Sequence, residues 1–234
     1  MAYHITYYIF LQSEFFPFCL ALFYCIILAL FLLPVCDILG ITHFPEAFFM
    51  KAKHINTKKI VLTALFAALT VQGSALRITV PLDIAGTSSF HLGNILCALS
   101  GILLGPWFGG LAAGLGSAIY DILNPLYISE CWITFLMKGI YGLVAGLIAW
   151  KGNSYGRMIL AALGGALSYA LLYLGKSYFY SGLLLAGLTP EAALLNVFSK
   201  LPATIFNAVV AVICAPLLAI AIKKALSKCH LSLN

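Results

Sequence analysis

The sequence predicts an all-α integral membrane protein, a bundle of six transmembrane helices with an extra N-terminal hydrophobic helix. Composition is the first reason: 63% of the residues are apolar, only 9% are charged, and the mean hydropathy is +1.05. Soluble domains carry about 25% charged residues. The second reason is that long apolar segments recur along the chain. The net charge of +6 does not by itself indicate a nucleic-acid partner, because cytoplasmic loops of membrane proteins are generally rich in Lys and Arg.

Residues 1–49 are predicted to be an extra hydrophobic segment, and residues 50–234 the six-helix membrane domain. The segment 5–36 is long enough to cross a bilayer of about 30 Å. Glu14 and Pro17 interrupt it and no basic region precedes it, which argues against a cleaved signal peptide. Met50 leads into a cluster of lysines and then a clean helix, so the segment before it is interpreted as an added helix or an extended start.

Six spans are predicted at 59–75, 92–104, 107–122, 132–150, 158–178 and 197–222. The second and third form a hairpin around a Gly105-Pro106 turn, and the rest of the domain is expected to pack around it. Small residues at the spacing of Gly110 to Gly114 and Ala113 to Ser117 allow close helix contacts in lipid. The polar residues of the hairpin should share one membrane face: His91, Asn94, Tyr120, Asp121 and Asn124.

The basic residues orient these spans. Nine of the thirteen fall on one side if the spans alternate: Lys51, Lys53, Lys58, Lys59, Lys151, Arg157, Lys223, Lys224 and Lys228. The positive-inside rule makes that side the cytoplasm, with both ends of the six-span unit there, in a bacterial cell membrane. The remaining charged and amide side chains then gather in the outer half. Because intramembrane charges usually serve a site or pair with one another, this predicts an outward-facing pocket.

Helical spacing identifies two stripes in this pocket. The last span carries a polar stripe of Asn196, Lys200, Thr204 and Asn207, and the fifth carries Tyr169, Tyr173, Lys176 and Tyr180. Aromatic faces and a few fixed hydrogen-bonding groups suit a flat heteroaromatic ligand. Lys138 lies about two turns below the outer surface on the fourth span. The candidate binding residues are His91, Asn94, Asp121, Asn124, Lys138, Tyr169, Tyr173, Lys176, Asn196, Lys200 and Asn207.

Each candidate also has a purely structural interpretation. The tyrosines could be interfacial belt residues, and Lys176 and Lys200 could extend from a lipid-facing surface towards the interface. Asp121 and Lys138 could form a structural ion pair. His91 could cap the helix that begins beside it.

An enzyme is the less favoured interpretation. Gly116-Ser117-Ala118 resembles an intramembrane serine protease site, but no later span contains a histidine to act as base. His91 has no second ligand at metal-binding spacing, and the seven cysteines form no CxxC pair. We therefore expect no catalytic residue, no cofactor and no metal. A self-contained secondary carrier is a further alternative, although the second half does not repeat the first.

Four motifs support a family resemblance: KKIVLTALFAALT, FHLGN, LLGPWFGGLAAGLGSAIYD and TFLMKGIYGLVAGLIAW. From about Lys58 onwards, the sequence resembles the substrate-binding S components of energy-coupling factor (ECF) vitamin transporters. It is most similar to the hydroxymethylpyrimidine and riboflavin types. The fold class implied by the resemblance is again a six-helix membrane bundle.

The resemblance implies a binding subunit that captures a vitamin or precursor at the outer face and has no catalytic activity. Candidate substrates are hydroxymethylpyrimidine, thiamine-related compounds, pyridoxine and riboflavin. The implied partners are a transmembrane coupling protein and two ABC-type ATPases, which drive uptake. The family docks on the coupling protein through an Ala-xxx-Ala motif in its first helix, and Ala64 and Ala68 match that spacing here. The added residues 1–49 depart from the family pattern.

Overall fold

The computed structural model describes residues 57–81, 87–150, 152 and 154–228. These residues form six α-helices: α1 (Thr57–Ala75), α2 (Gly93–Leu104), α3 (Pro106–Leu123), α4 (Cys131–Ala149), α5 (Tyr155–Lys176) and α6 (Pro190–Lys228). A short 3-10 helix, Ile128–Glu130, leads into α4, and a π-helix, Ser177–Leu185, continues α5. The first five helices end within three residues of the predicted span boundaries, whereas α6 is longer than predicted at both ends. The predicted N-terminal segment 1–49 lies outside the described residues.

Among the described residues, three helical stretches are long and apolar enough to cross a membrane: Ile128–Ala149, Tyr155–Leu185 and Pro190–Lys228, with 22, 31 and 39 residues. The helix α2 is apolar but shorter, and α3 contains glycines and Asp121, which lower its mean hydropathy. A largely helical membrane protein is therefore confirmed. The number of spans stays a prediction.

The predicted hairpin of α2 and α3 is present and lies at the centre of the packing. Gly105 connects the two helices with φ of +82°, a conformation that glycine adopts without steric cost, and Pro106 begins α3. The Ser100 hydroxyl donates to the Gly109 carbonyl at 3.1 Å, which joins the two arms. The side chains of the fully buried core include Cys97, Ala98, Ala112 and Ala113. Small side chains let the backbones touch here, as the spacing predicted.

Gly142 on α4 contacts this hairpin closely, and its neighbour Gly139 provides a control. A Cβ atom at Gly142 would lie 2.6 Å from the Gly109 carbonyl oxygen, whereas one at Gly139 would find its nearest neighbour at 3.7 Å. We expect Gly142→Ala to destabilise the protein by about 1–3 kcal/mol, the usual cost of overpacking. Thermal unfolding of the detergent-solubilised protein measures this, and Gly139→Ala should leave the midpoint near that of the wild type. Equal midpoints for the two variants would refute this account of the packing.

The structure differs from the all-α prediction in the connection between α1 and α2, which contains a two-stranded antiparallel sheet. Strand β1 (Arg77–Pro81) pairs with β2 (Thr87–His91), with Arg77 opposite His91. The open edge of β2 is bonded to α6: the Asn207 amide accepts from the His91 N–H at 3.0 Å and donates to the Ser89 carbonyl at 2.8 Å. This side chain therefore takes the place of a third strand and holds the hairpin against the bundle.

Candidate functional site

A cavity of about 510 Å³ lies at one end of the helices. The C-terminal parts of α1, α3 and α5 reach it, together with the N-terminal parts of α2, α4 and α6. Both strands, the 3-10 helix and the π-helix complete its lining. The alternating chain direction of the helices explains why residues far apart in sequence meet at this end.

Nine of the eleven candidate binding residues line this cavity: His91, Asn94, Asp121, Lys138, Tyr169, Tyr173, Lys176, Lys200 and Asn207. The other two lie outside it. Asn124 ends α3, where its amide donates to the Tyr120 hydroxyl at 3.2 Å and accepts from the Leu126 N–H at 3.1 Å. Asn196 is fully buried and donates to the Ser177 carbonyl at 3.4 Å, so it connects α6 to the π-helix. Both amides therefore form hydrogen bonds within the protein, outside the cavity lining.

Stacked tyrosine rings form one side of the site. Tyr169 stacks between Tyr141 and Tyr173, with ring centroids 5.8 Å apart in both pairs and interplanar angles of 25° and 20°. Lys138 places its ammonium 4.0 Å from the Tyr169 centroid and donates to the Asn94 side-chain oxygen. The cation is thus fixed against an aromatic face inside the protein. Tyr141 was not among the candidates, and it supports Tyr169 from α4.

The predicted tyrosine stripe ends earlier than expected. Tyr169, Tyr173 and Lys176 line the cavity, but Tyr180 does not. The stripe assumed α-helical spacing up to residue 180, whereas the chain becomes a π-helix at Ser177. A π-helix has more residues per turn, so the side chains beyond Ser177 turn to other directions.

The charged residues settle several of the alternative interpretations. Lys176 forms an ion pair with Glu130, so it does not extend freely to a lipid interface. Lys200 is only 6% exposed and lines the cavity, so the lipid-facing interpretation is wrong for it too. Within the described part of the chain, no ion pair joins Asp121 to Lys138, because the Lys138 ammonium is bonded to Asn94.

His91 lies in the cavity and does not cap α2. The residue at the N-cap position is Leu92, which makes no side-chain cap hydrogen bond. Burial, with the positive charges of Lys138 and Arg77 in addition, holds the pKa of the His91 imidazole well below its ordinary value. The imidazole is therefore neutral at pH 7, and its buried Nδ1 has no hydrogen-bond partner among the described residues.

Arg77 is the main lining residue that sequence reasoning missed. Its guanidinium lies 4.2 Å from the Tyr120 ring centroid and 5.0 Å from that of Tyr127, and its Nε donates to the Ser74 carbonyl at 2.9 Å. A signal was present, since Arg77 directly follows the first helix on the side where the positive-inside rule disfavours basic residues. The other missed polar lining residues are Ser74, Ser89, Ser117, Tyr127, Ser129, Thr134 and Ser181.

The two alanines expected to dock on a coupling protein lie on α1, outside the cavity lining. Ala64 is exposed and Ala68 is half-buried. Their neighbour Val61 is 61% exposed, so this stretch of α1 presents a surface that the described residues leave uncovered.

The Asn207 contact with β2 yields a stability prediction. Asn207→Ala removes two hydrogen bonds, each worth about 0.5–1.5 kcal/mol, and frees one edge of the hairpin that lines the cavity. We expect a lower unfolding midpoint and faster proteolysis within 77–91, measured on the detergent-solubilised protein. Ser199→Ala on the same helix removes only a bond to the nearby Asn196 carbonyl and should change neither property. Unchanged proteolysis of Asn207→Ala would contradict the assigned contact.

Comparison with known proteins places the chain in a family. The sequence model of the family described as "ECF-type riboflavin transporter, S component" matches residues 54–224. The chain is also 32% identical over 115 residues to the Pyrococcus woesei protein named "Uncharacterized protein in gap 3'region", covering 49% of this chain and 74% of that protein. A UPF0397 protein of Streptococcus gordonii is 33% identical over 91 residues, which is 39% of this chain and 46% of that relative. Because the family match extends over most of the chain and over all the helices that form the cavity, this protein belongs to the family of ECF-type riboflavin transporter S components.

Proposed function

We propose that this chain is the substrate-binding subunit of an ECF-type transporter, and that its cavity binds a small heterocyclic vitamin or vitamin precursor. One observation carries the proposal: stacked tyrosines, a fixed lysine and several polar side chains converge on a cavity of about 510 Å³. Binding sites for small molecules have volumes of about 300–1,000 Å³ and use a few placed polar groups to orient the ligand. Hydroxymethylpyrimidine, thiamine-related compounds, pyridoxine and riboflavin are the first candidates.

The distribution of charge supports capture from outside the cell. Lys58 and Lys59 begin α1, and Arg157 lies in the first turn of α5, each at the helix end opposite the cavity. Lys223 and Lys224 are near the C-terminal end of α6, also far along the helix from the lining residues. By the positive-inside rule these ends face the cytoplasm and the cavity faces outwards. We also propose that the domain crosses the cell membrane six times and that both of its ends are cytoplasmic.

The stacked tyrosines and the few placed polar groups that line the cavity are typical of a binding pocket. Ser117 is buried, and its hydroxyl contacts the Cys97 sulfur at 3.8 Å. A serine needs a nearby base to become a nucleophile, and a thiol at that distance does not provide one. We propose that the energy for uptake comes from partner proteins, a transmembrane coupling protein and two ABC-type ATPases. The family membership supports these partners.

Binding to the full-length, detergent-purified protein tests the proposal. Small molecules that co-purify are extracted and identified by mass spectrometry, and affinities for the four candidate compounds are measured by titration. Tyr169→Leu should weaken binding of the retained compound about tenfold, since a stacked aromatic pair contributes about 0.5–1.5 kcal/mol beyond its burial. Tyr155→Leu changes a tyrosine on the same helix that lies outside the cavity and should bind normally. Absence of any retained ring compound, with no binding of the four candidates, would overturn the proposal.

A further inference from the structure

The cavity contains more positive than negative side chains. Four basic residues line it, Arg77, Lys138, Lys176 and Lys200, against two carboxylates, Asp121 and Glu130. Glu130 is already paired with Lys176. Asp121 alone remains to balance three cations, and the neutral His91 adds no charge.

The partners of these cations are mostly uncharged. Lys138 is bonded to the Asn94 amide oxygen and faces the Tyr169 ring. Arg77 is bonded to a backbone carbonyl and lies against two tyrosine rings. Neutral partners satisfy hydrogen-bonding groups, but they leave the positive charge of these side chains uncompensated.

Lys200 is the clearest case. It is 6% exposed, and its ammonium has no hydrogen-bond or ion-pair partner among the described residues. The charges that act on it are those of Lys176, which repels it, and of Glu130, which is already engaged. An ammonium that lines the cavity without a partner of its own among the described residues is available to pair with an anionic group that arrives with the ligand.

The aromatic and cationic parts of the cavity come from adjoining elements. Tyr169, Tyr173 and Lys176 follow one another along α5, and Lys200 on α6 lines the same cavity. A planar ring placed against the tyrosines can therefore extend a substituent towards Lys200.

We propose that the compound bound here is a planar ring that carries an anionic oxygen group, a carboxylate or a phosphate, and that Lys200 pairs with that group. This inference rests on the proposed function and narrows its substrate class. It favours acidic ring compounds over neutral pyridoxine or riboflavin and over cationic thiamine. An ammonium to carboxylate or phosphate bond is charge-assisted, which makes it about twice as strong as a neutral hydrogen bond.

The net charge of the retained compound is the first test. Compounds extracted from the wild-type protein are passed over an anion-exchange resin at pH 7 and identified by mass spectrometry. We expect a ring compound that binds the resin. Binding is then compared for matched probes, nicotinate with nicotinamide, orotate with uracil, and FMN with riboflavin. In whichever pair fits the cavity, we expect the anionic compound to bind at least tenfold more tightly than its neutral counterpart.

Variants of Lys200 make the test specific. Lys200→Met should lose the retained anion and the preference within the pair, while Lys200→Arg keeps the positive charge and retains the preference in part. Lys224→Met removes an exposed lysine at the other end of α6 and should bind as the wild type does. A retained ring compound that is neutral or cationic, or a preference that survives Lys200→Met, would overturn this inference and leave the proposed function intact. No retained ring compound and no binding of any probe would refute both.

Discussion

Replacing Lys138 with methionine should reduce ligand affinity by about 10- to 100-fold, since a hydrogen bond to a charged group contributes about 1.5–3 kcal/mol. Lys138 is 3% exposed, and its ammonium is held between the Asn94 oxygen and the face of Tyr169. It therefore presents a positioned donor to any ring that enters the cavity. Methionine has a similar volume and fills the same space without the charge, but the buried Asn94 oxygen then loses its donor, which lowers stability as well. Titration of the retained compound against the purified variant measures the loss.

A matched lysine provides the control for this prediction. Lys58 is exposed at the start of α1, at the helix end opposite the cavity, and Lys58→Met should bind with wild-type affinity. Normal affinity in a folded Lys138→Met protein would show that the ammonium does not contact the ligand. A melting temperature measured without ligand distinguishes this outcome from general destabilisation.

Replacing Ala64 with leucine should abolish transport and leave ligand binding unchanged. Ala64 is exposed on α1, and contacts between helices in lipid depend on small residues that let backbones approach. A leucine there would hold a partner helix several ångströms away without reaching the cavity. Uptake of the labelled compound by cells that contain the coupling protein and its ATPases gives the transport rate. Titration of the purified variant gives its affinity.

An exposed alanine elsewhere controls for the added bulk. Ala221 lies near the C-terminal end of α6, outside the cavity lining, and Ala221→Leu should transport normally. Uptake at the wild-type rate by Ala64→Leu would show that this face of α1 is not the docking surface. Loss of binding together with uptake would indicate that the substitution disturbs the fold.

Much of the helical domain could be predicted from sequence because its signals are local. Glycine and proline at Gly105 and Pro106 end one apolar segment and begin the next, and α2 and α3 have their boundaries there. Helical periodicity correctly grouped Lys200, Thr204 and Asn207 on one side of α6, and all three line the cavity. The first inference uses turn residues between two segments and the second uses spacing within one helix, and a sequence shows both directly.

The missed features depend on contacts between distant segments. The pairing of β1 with β2 is completed by Asn207, more than a hundred residues away, which no local pattern reveals. The π-helix at Ser177–Leu185 is connected to α6 through Asn196, and its onset diverts Tyr180 from the cavity. Arg77 is different, because its signal was local. A basic residue on the predicted outer side departs from the positive-inside rule, and this departure indicates a place in the pocket.

A structure of the purified protein with its retained compound is the most direct measurement of the central claim. We predict a single flat molecule in the cavity, with its ring against Tyr169 and Tyr173 and polar groups within hydrogen-bonding distance of Lys138 and Lys200. A compound bound on the lipid-facing surface or between other helices, with the cavity filled only by water, would contradict the account.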